Sequence, residues 1–147
     1  MQPTIGFDVK QATEMLNSGN KEIKGVSYYE KRTPLGIKVG ETIYGRMGAI
    51  VSLYPLTAYI EEYLKLKKKN REGKRIATIN RLAAAYRIEA KIYSLKGDFV
   101  FKGLTPGKYY LESLVNFSSG VGGAEVSGVV EITTGDETVN YKLSHIY

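Results

Sequence analysis

Between Tyr86 and Leu143 almost every residue falls in a short β-forming run bounded by a glycine-containing turn, and that spacing leaves few folds open. The runs are Tyr86–Ser94, Phe99–Lys102, Lys108–Phe117, Glu125–Thr133 and Thr138–Leu143. Strands so short and so closely spaced leave no room for crossover helices, so a sandwich or barrel is expected rather than a parallel α/β sheet. Upstream, Ile23, Val26, Tyr28 and Tyr29 mark a strand within 22–30, and Ala49–Tyr54 marks a more apolar one that Pro55 is expected to end.

Two helices interrupt this pattern. Asp8 and Gln11 have the spacing of a capping box, and Val9, Ala12, Met15 and Leu16 then recur at helical spacing until Asn17-Ser18-Gly19 stops them. Thr57 can cap a second helix from Ala58 to about Lys69, in which Tyr59 meets Tyr63 and Ile60 meets Leu64 four residues on. Asn70 to Ala85 reads as a connection broken at Gly73, although Leu82–Ala85 would suit one more helical turn. The expectation is one all-β domain over residues 1–147, an antiparallel β-sandwich of about seven strands. It carries a short N-terminal helix and one helical insertion at about 57–85. With 147 residues, 43% of them hydrophobic, such a domain can bury a core without disulfides or a structural metal.

Chemistry is harder to find. The chain has no cysteine, which removes thiolate nucleophiles and thiolate metal sites and leaves the redox compartment open. His145 is the single histidine, expected at a frayed terminus, and only Asp8, Asp98 and Asp136 supply aspartates. A zinc site or a Ser-His-Asp arrangement is hard to assemble from that set, so no catalytic residue, metal or cofactor is expected. Glu61 and Glu62 are adjacent on the second helix and point in different directions, which suits the solvent face better than paired acid and base work. Ser118-Ser119-Gly120-Val121-Gly122-Gly123 lacks the Gly-Lys-Ser/Thr ending of a phosphate-binding loop and reads as a loop between strands.

Two features point to binding instead. Lys65, Lys67, Lys68, Lys69, Arg71, Lys74 and Arg75, followed by Arg81 and Arg87, crowd one segment with Glu72 as its one acid. They are more than enough to account for the net charge of +6. Such a run suits a polyanion such as nucleic acid, an anionic glycan or a lipid headgroup. A solvated helix end and loop, with lysines complementing the negative end of the dipole, is the simpler explanation. No aromatic residue interleaves Lys65 to Ala85, so stacking on single-stranded bases gets no support. Secondly, twelve tyrosines against four phenylalanines favour a wet contact surface, with Tyr28, Tyr59, Tyr63 and Tyr110 as interface candidates, although core-edge packing uses tyrosine just as well.

The stretch Gly97-Asp98-Phe99-Val100-Phe101-Lys102-Gly103-Leu104-Thr105-Pro106-Gly107-Lys108-Tyr109-Tyr110-Leu111 reads as a strand, a type II turn at Pro106-Gly107 and a returning strand. It resembles the signature of carboxypeptidase regulatory-like domains, which are transthyretin-like (Ig-like) sandwiches. Ala49 to Tyr59 and Ile23-Lys24-Gly25 are similar to a bacterial envelope subgroup of that family, whose corresponding segment leads into a helical insertion. The resemblance spans roughly residues 20 to 143 and is specific in the Phe99 to Leu111 segment. It implies a non-catalytic accessory module of the periplasm or cell surface that contacts another envelope protein or an anionic surface component. It carries over no binding residue, because the matched positions are core and turn positions. Met1–Lys10 lacks the pattern of a signal peptide, and no apolar run reaches the roughly 18 to 20 residues of a membrane span, so export is implied by the resemblance alone.

Overall fold

The computed structural model describes residues 1–70, 76–117 and 120–147. Strand β1 (Lys21–Tyr29) shows how the sandwich is built: Ile23, Gly25 and Ser27 are buried on its inner side, whereas Lys24, Val26 and Tyr28 face outward. The very short β2 (Ile43–Tyr44) pairs with Tyr28 and Tyr29 at the end of β1. The body of β1 lies between β5 (Asp98–Leu104), antiparallel, and β8 (Thr138–Leu143), parallel. The second sheet is antiparallel throughout: β3 (Ile50–Pro55) is flanked by β4 (Ile88–Lys91) and β6 (Gly107–Asn116), and β7 (Gly123–Ile132) closes the order β4-β3-β6-β7.

Between the sheets lie Ile23, Phe99, Phe101 and Leu143 from one side and Val51, Leu53, Tyr109, Leu111, Val115, Val126 and Val130 from the other, all buried. Each such large side chain, fully withdrawn from water, contributes roughly 1.5–3 kcal/mol. A side chain at Gly25 would put its Cβ 2.2 Å from the Phe99 ring, so glycine there lets the ring cross beneath β1. Helix α1 (Val9–Asn17) caps one end of this core with Ala12, Met15 and Leu16, and Asp8 Oδ1 accepts from Gln11 N–H at 3.0 Å, as the sequence predicts.

An all-β sandwich is therefore observed, with three corrections. There are eight strands among the described residues, because β2 is too short to show a two-residue period. The β1–β8 pairing is parallel, so the sandwich is not antiparallel throughout. As expected, β3 ends at Pro55, which stands opposite Tyr109 at a strand end where its missing N–H matters least. Gly107 has φ 155°, far from the roughly +80° of a type II turn, and starts β6 directly.

The other two helices cover the outer face of the second sheet. In α2 (Ala58–Lys69), capped by Thr57 as expected, Tyr59, Ile60 and Leu64 turn inward. The predicted connection before β4 contains α3 (Arg81–Ala85), whose start is set by Asn80 Oδ1 accepting from Ala83 N–H at 2.7 Å. Together with Tyr54 and Tyr110 from the sheet, these residues form a second core, to which Phe7, Leu56, Tyr63, Ile79 and Val129 add. The outer face of the first sheet bears no helix among the described residues. The tail after β8 does not fray: the His145 carbonyl accepts from Ser127 N–H and Tyr147 N–H donates to Ser127 Oγ, while the His145 side chain stays exposed.

Candidate functional site

The basic segment is divided by the helix that carries it. Lys67 points down the face of α2 toward the sheet, where its ammonium reaches Glu125, lies 3.6 Å from Glu112 and donates to Tyr110 Oη at 3.4 Å. Burial works against its charge, but the Glu125 hydrogen bond, Tyr110 and the two carboxylates outweigh that and raise its pKa well above the usual lysine range. Its charge is thus matched internally, and Lys67 is corrected from an anion-binding candidate to a structural cation.

Lys65 and Lys68, three residues apart, meet Lys108 of β6 around a cleft of about 260 Å³ with an apolar floor of Leu56, Leu64 and Val129. Glu61 lies on its rim, Lys108 is 3.8 Å from Glu131, and the Lys68 ammonium sits 3.8 Å from the centroid of the Tyr147 ring. Lys69 is exposed away from this cleft, as are Arg81 and Arg87. Arg71, Lys74 and Arg75, like Glu72, Gly73, Ser118 and Ser119, lie outside the described residues. Lys108 had no place in the linear run; its outward position beside Tyr109 on β6 is the signal that could have found it.

The tyrosine candidates divide in the same way. Tyr59 and Tyr110 are 2% and 1% exposed, enclosed in the second core, and are corrected from interface to core residues. Tyr59 Oη accepts from Asn80 N–H and Tyr110 Oη donates to Glu112, so both hydroxyls are satisfied inside. Tyr63 is half-buried at the edge of the same cluster, and burial raises its hydroxyl pKa. Glu62, at the solvent face, accepts from the backbone N–H groups of Thr4 and Ile5, which holds its carboxyl below the usual range and ties down the N-terminal segment.

On the sheet away from α2 and α3, Tyr28 faces outward from β1, partly buried. Opposite it in register stands Tyr44, with ring centroids 6.2 Å apart and planes inclined at 54°. With Val26, Glu30, Thr42 and Lys142 they line a hollow of about 280 Å³ on the open face of the first sheet. A second hollow adjoins it, sharing Val26 and Lys142 and adding Lys24, Tyr93, Asp98 and Asn140. The result is a strip of aromatic faces flanked by carboxylates, an amide, a hydroxyl and ammonium groups. Among the described residues no group of three histidine, cysteine or acidic side chains is placed to hold a metal ion.

No family model and no curated protein matches the sequence. The fold has a counterpart among solved structures: a candidate carbohydrate-binding protein from Pseudomonas aeruginosa superimposes with a TM-score of 0.67 over 98% of this chain and 99% of the other. The two sequences are 20% identical, so the likeness is one of fold.

Proposed function

We propose that this chain is a non-catalytic binding module whose open sheet face takes a saccharide. The carrying observation is the Tyr28–Tyr44 ring pair set among Glu30, Thr42 and Lys142. A sugar ring offers one face of C–H bonds and a rim of hydroxyls. Tyrosine faces accept the first, and carboxylate, hydroxyl and ammonium groups pair with the second. The hollow is near the lower end of the roughly 300–1,000 Å³ of small-molecule sites, which suits one or two sugar units. The shared fold with a candidate carbohydrate-binding protein supports the reading. So does the carboxypeptidase regulatory-like resemblance of Gly97 to Leu111, which argues for a transthyretin-like accessory domain of the cell envelope. Screening oligosaccharides and titrating the best one tests it. Tyr28→Ala and Tyr44→Ala should each weaken binding about tenfold. Retained affinity in the double variant would reject this surface, and fractionation of the source cells would test the envelope assignment.

A second reading rests on the lysine cleft: Lys65, Lys68 and Lys108 converge on one hollow, which suits an anionic group. Heparin binding that weakens with salt and with Lys65→Gln plus Lys68→Gln would favour it.

A further inference from the structure

The large apolar side chains most exposed on the sandwich proper gather at one of its ends. Three of the connections at that end present them. The first, between β1 and β2, is a hairpin held by the Arg32–Lys38 bridge, with Thr33 N–H donating to Ile37 C=O and Val39 N–H to Lys31 C=O. Its tip is the turn Pro34-Leu35-Gly36, where Leu35 is 88% and Ile37 62% exposed. The second, between β4 and β5, carries Leu95 at 83% exposure on a turn fixed by Ser94 Oγ accepting from the N–H groups of Lys96 and Asp98. Gly97 C=O accepts from Ser27 N–H and so seats this turn beside the end of β1. The third, between β2 and β3, presents Met47 at 57% exposure.

Turn tips ordinarily carry glycine, proline, asparagine, aspartate or serine rather than an exposed leucine. The opposite end of the sandwich follows that rule with Ser18-Gly19-Asn20, Thr105-Pro106 and Thr133-Thr134-Gly135. The leucines at 35 and 95 stand on separate projecting turns braced by hydrogen bonds, so collapse onto the body would cost those bonds. Around them are exposed Lys31, Lys38, Arg46 and Lys96 and an Arg32 paired with the partly buried Glu30, against exposed Glu41. Separate aliphatic prongs inside a basic collar do not form the flat continuous patch of a protein interface. They suit a fluid apolar layer beneath a negatively charged surface.

We infer that this loop end inserts its aliphatic tips into the interface of an anionic lipid bilayer, with the basic collar against the headgroups. The inference is independent of the saccharide reading, which concerns the sheet face. The chain has no tryptophan, so a single introduced indole reports its own surroundings. Leu35→Trp and, as a control on α3, Leu82→Trp should be mixed with vesicles of phosphatidylcholine alone or with phosphatidylglycerol. The expected result is a blue shift at position 35 only, only with phosphatidylglycerol, and weakening as salt rises. Co-sedimentation of a Leu35→Ser, Ile37→Ser, Leu95→Ser variant should fall at least about tenfold. No partition of the unaltered protein at low salt, a shift at 82 without one at 35, or undiminished partition of the triple variant would each overturn the inference. The first of these would leave the loop end to a protein partner with an acidic-rimmed pocket.

Discussion

On the outer face of the helix-covered sheet, Tyr54 and Tyr110 lie 5.9 Å apart beneath α2; on the outer face of the other sheet, Tyr28 and Tyr44 lie 6.2 Å apart in the open. Each pair joins neighbouring strands in direct register and is built from the same residue type. They differ in what arrives from elsewhere in the chain. Tyr59, Ile60 and Leu64 bring an apolar stripe down on the first pair, whereas the described chain places nothing on the second. Tyrosine serves both settings because its ring is apolar and its hydroxyl can be satisfied by protein or by water.

The sharpest way to break this contrast is truncation. Tyr110→Ala or Tyr59→Ala should cost about 3–5 kcal/mol in chemical denaturation, since each empties a closed site. A loss under about 1 kcal/mol for either would mean that the covered face is not a true second core. Next in size is the polar rim of that core. Lys67→Ala should cost about 1–3 kcal/mol, because it leaves Glu112 and Glu125 without their shared cation. Lys67→Met should recover part of this through the packing of its stem.

A smaller, pH-confined effect sharpens the contrast further. Burial, followed by Glu112, raises the hydroxyl pKa of both Tyr110 and Tyr54 above the usual 10.0. The folded state therefore holds these protons more tightly than the unfolded chain does. The stability they contribute is complete below about pH 10 and is lost as pH rises through the raised values. Thermal melts across the alkaline range should show that decline, and Tyr110→Phe should blunt it. An undiminished decline in that variant would assign the effect to other groups. The smallest expectation concerns the open pair: Tyr28→Ala should change stability by about 0.5 kcal/mol or less in the same denaturation assay. A large loss there would show that the face is structural rather than available.

Local signals were legible wherever the physics is local. The Asp8 and Thr57 caps, the span of α2, the outlines of β1 and β8 and the two-residue alternation in β6 all follow from neighbours in sequence. What stayed hidden depends on distant partners. Tyr59 and Tyr110 could be told from Tyr28 only by knowing that α2 docks on β6, and Lys67 from Lys68 only by knowing that Glu112 and Glu125 lie below one and not the other. Leu82–Ala85 already suggested a helical turn and Asn80 could cap it, but the glycine and charge just upstream kept the segment read as a connection. The open-face strip was only half visible, because Tyr44 sits in a strand of two residues and Tyr93 in the connection between β4 and β5.

The parallel pairing of β1 with β8 has a consequence for how the chain must be made. Glu22 and Thr138, hydrogen-bonded across that pairing, are 116 residues apart. As the polypeptide leaves the ribosome, β1 can gain β5 on one side, yet its other edge waits until β8 has been synthesised. Throughout that interval a strand edge beside Ile23, Gly25 and Ser27 stays open to other chains. The step most vulnerable to aggregation is thus the arrival of the final strand, and a pause in translation before Thr138 would prolong it.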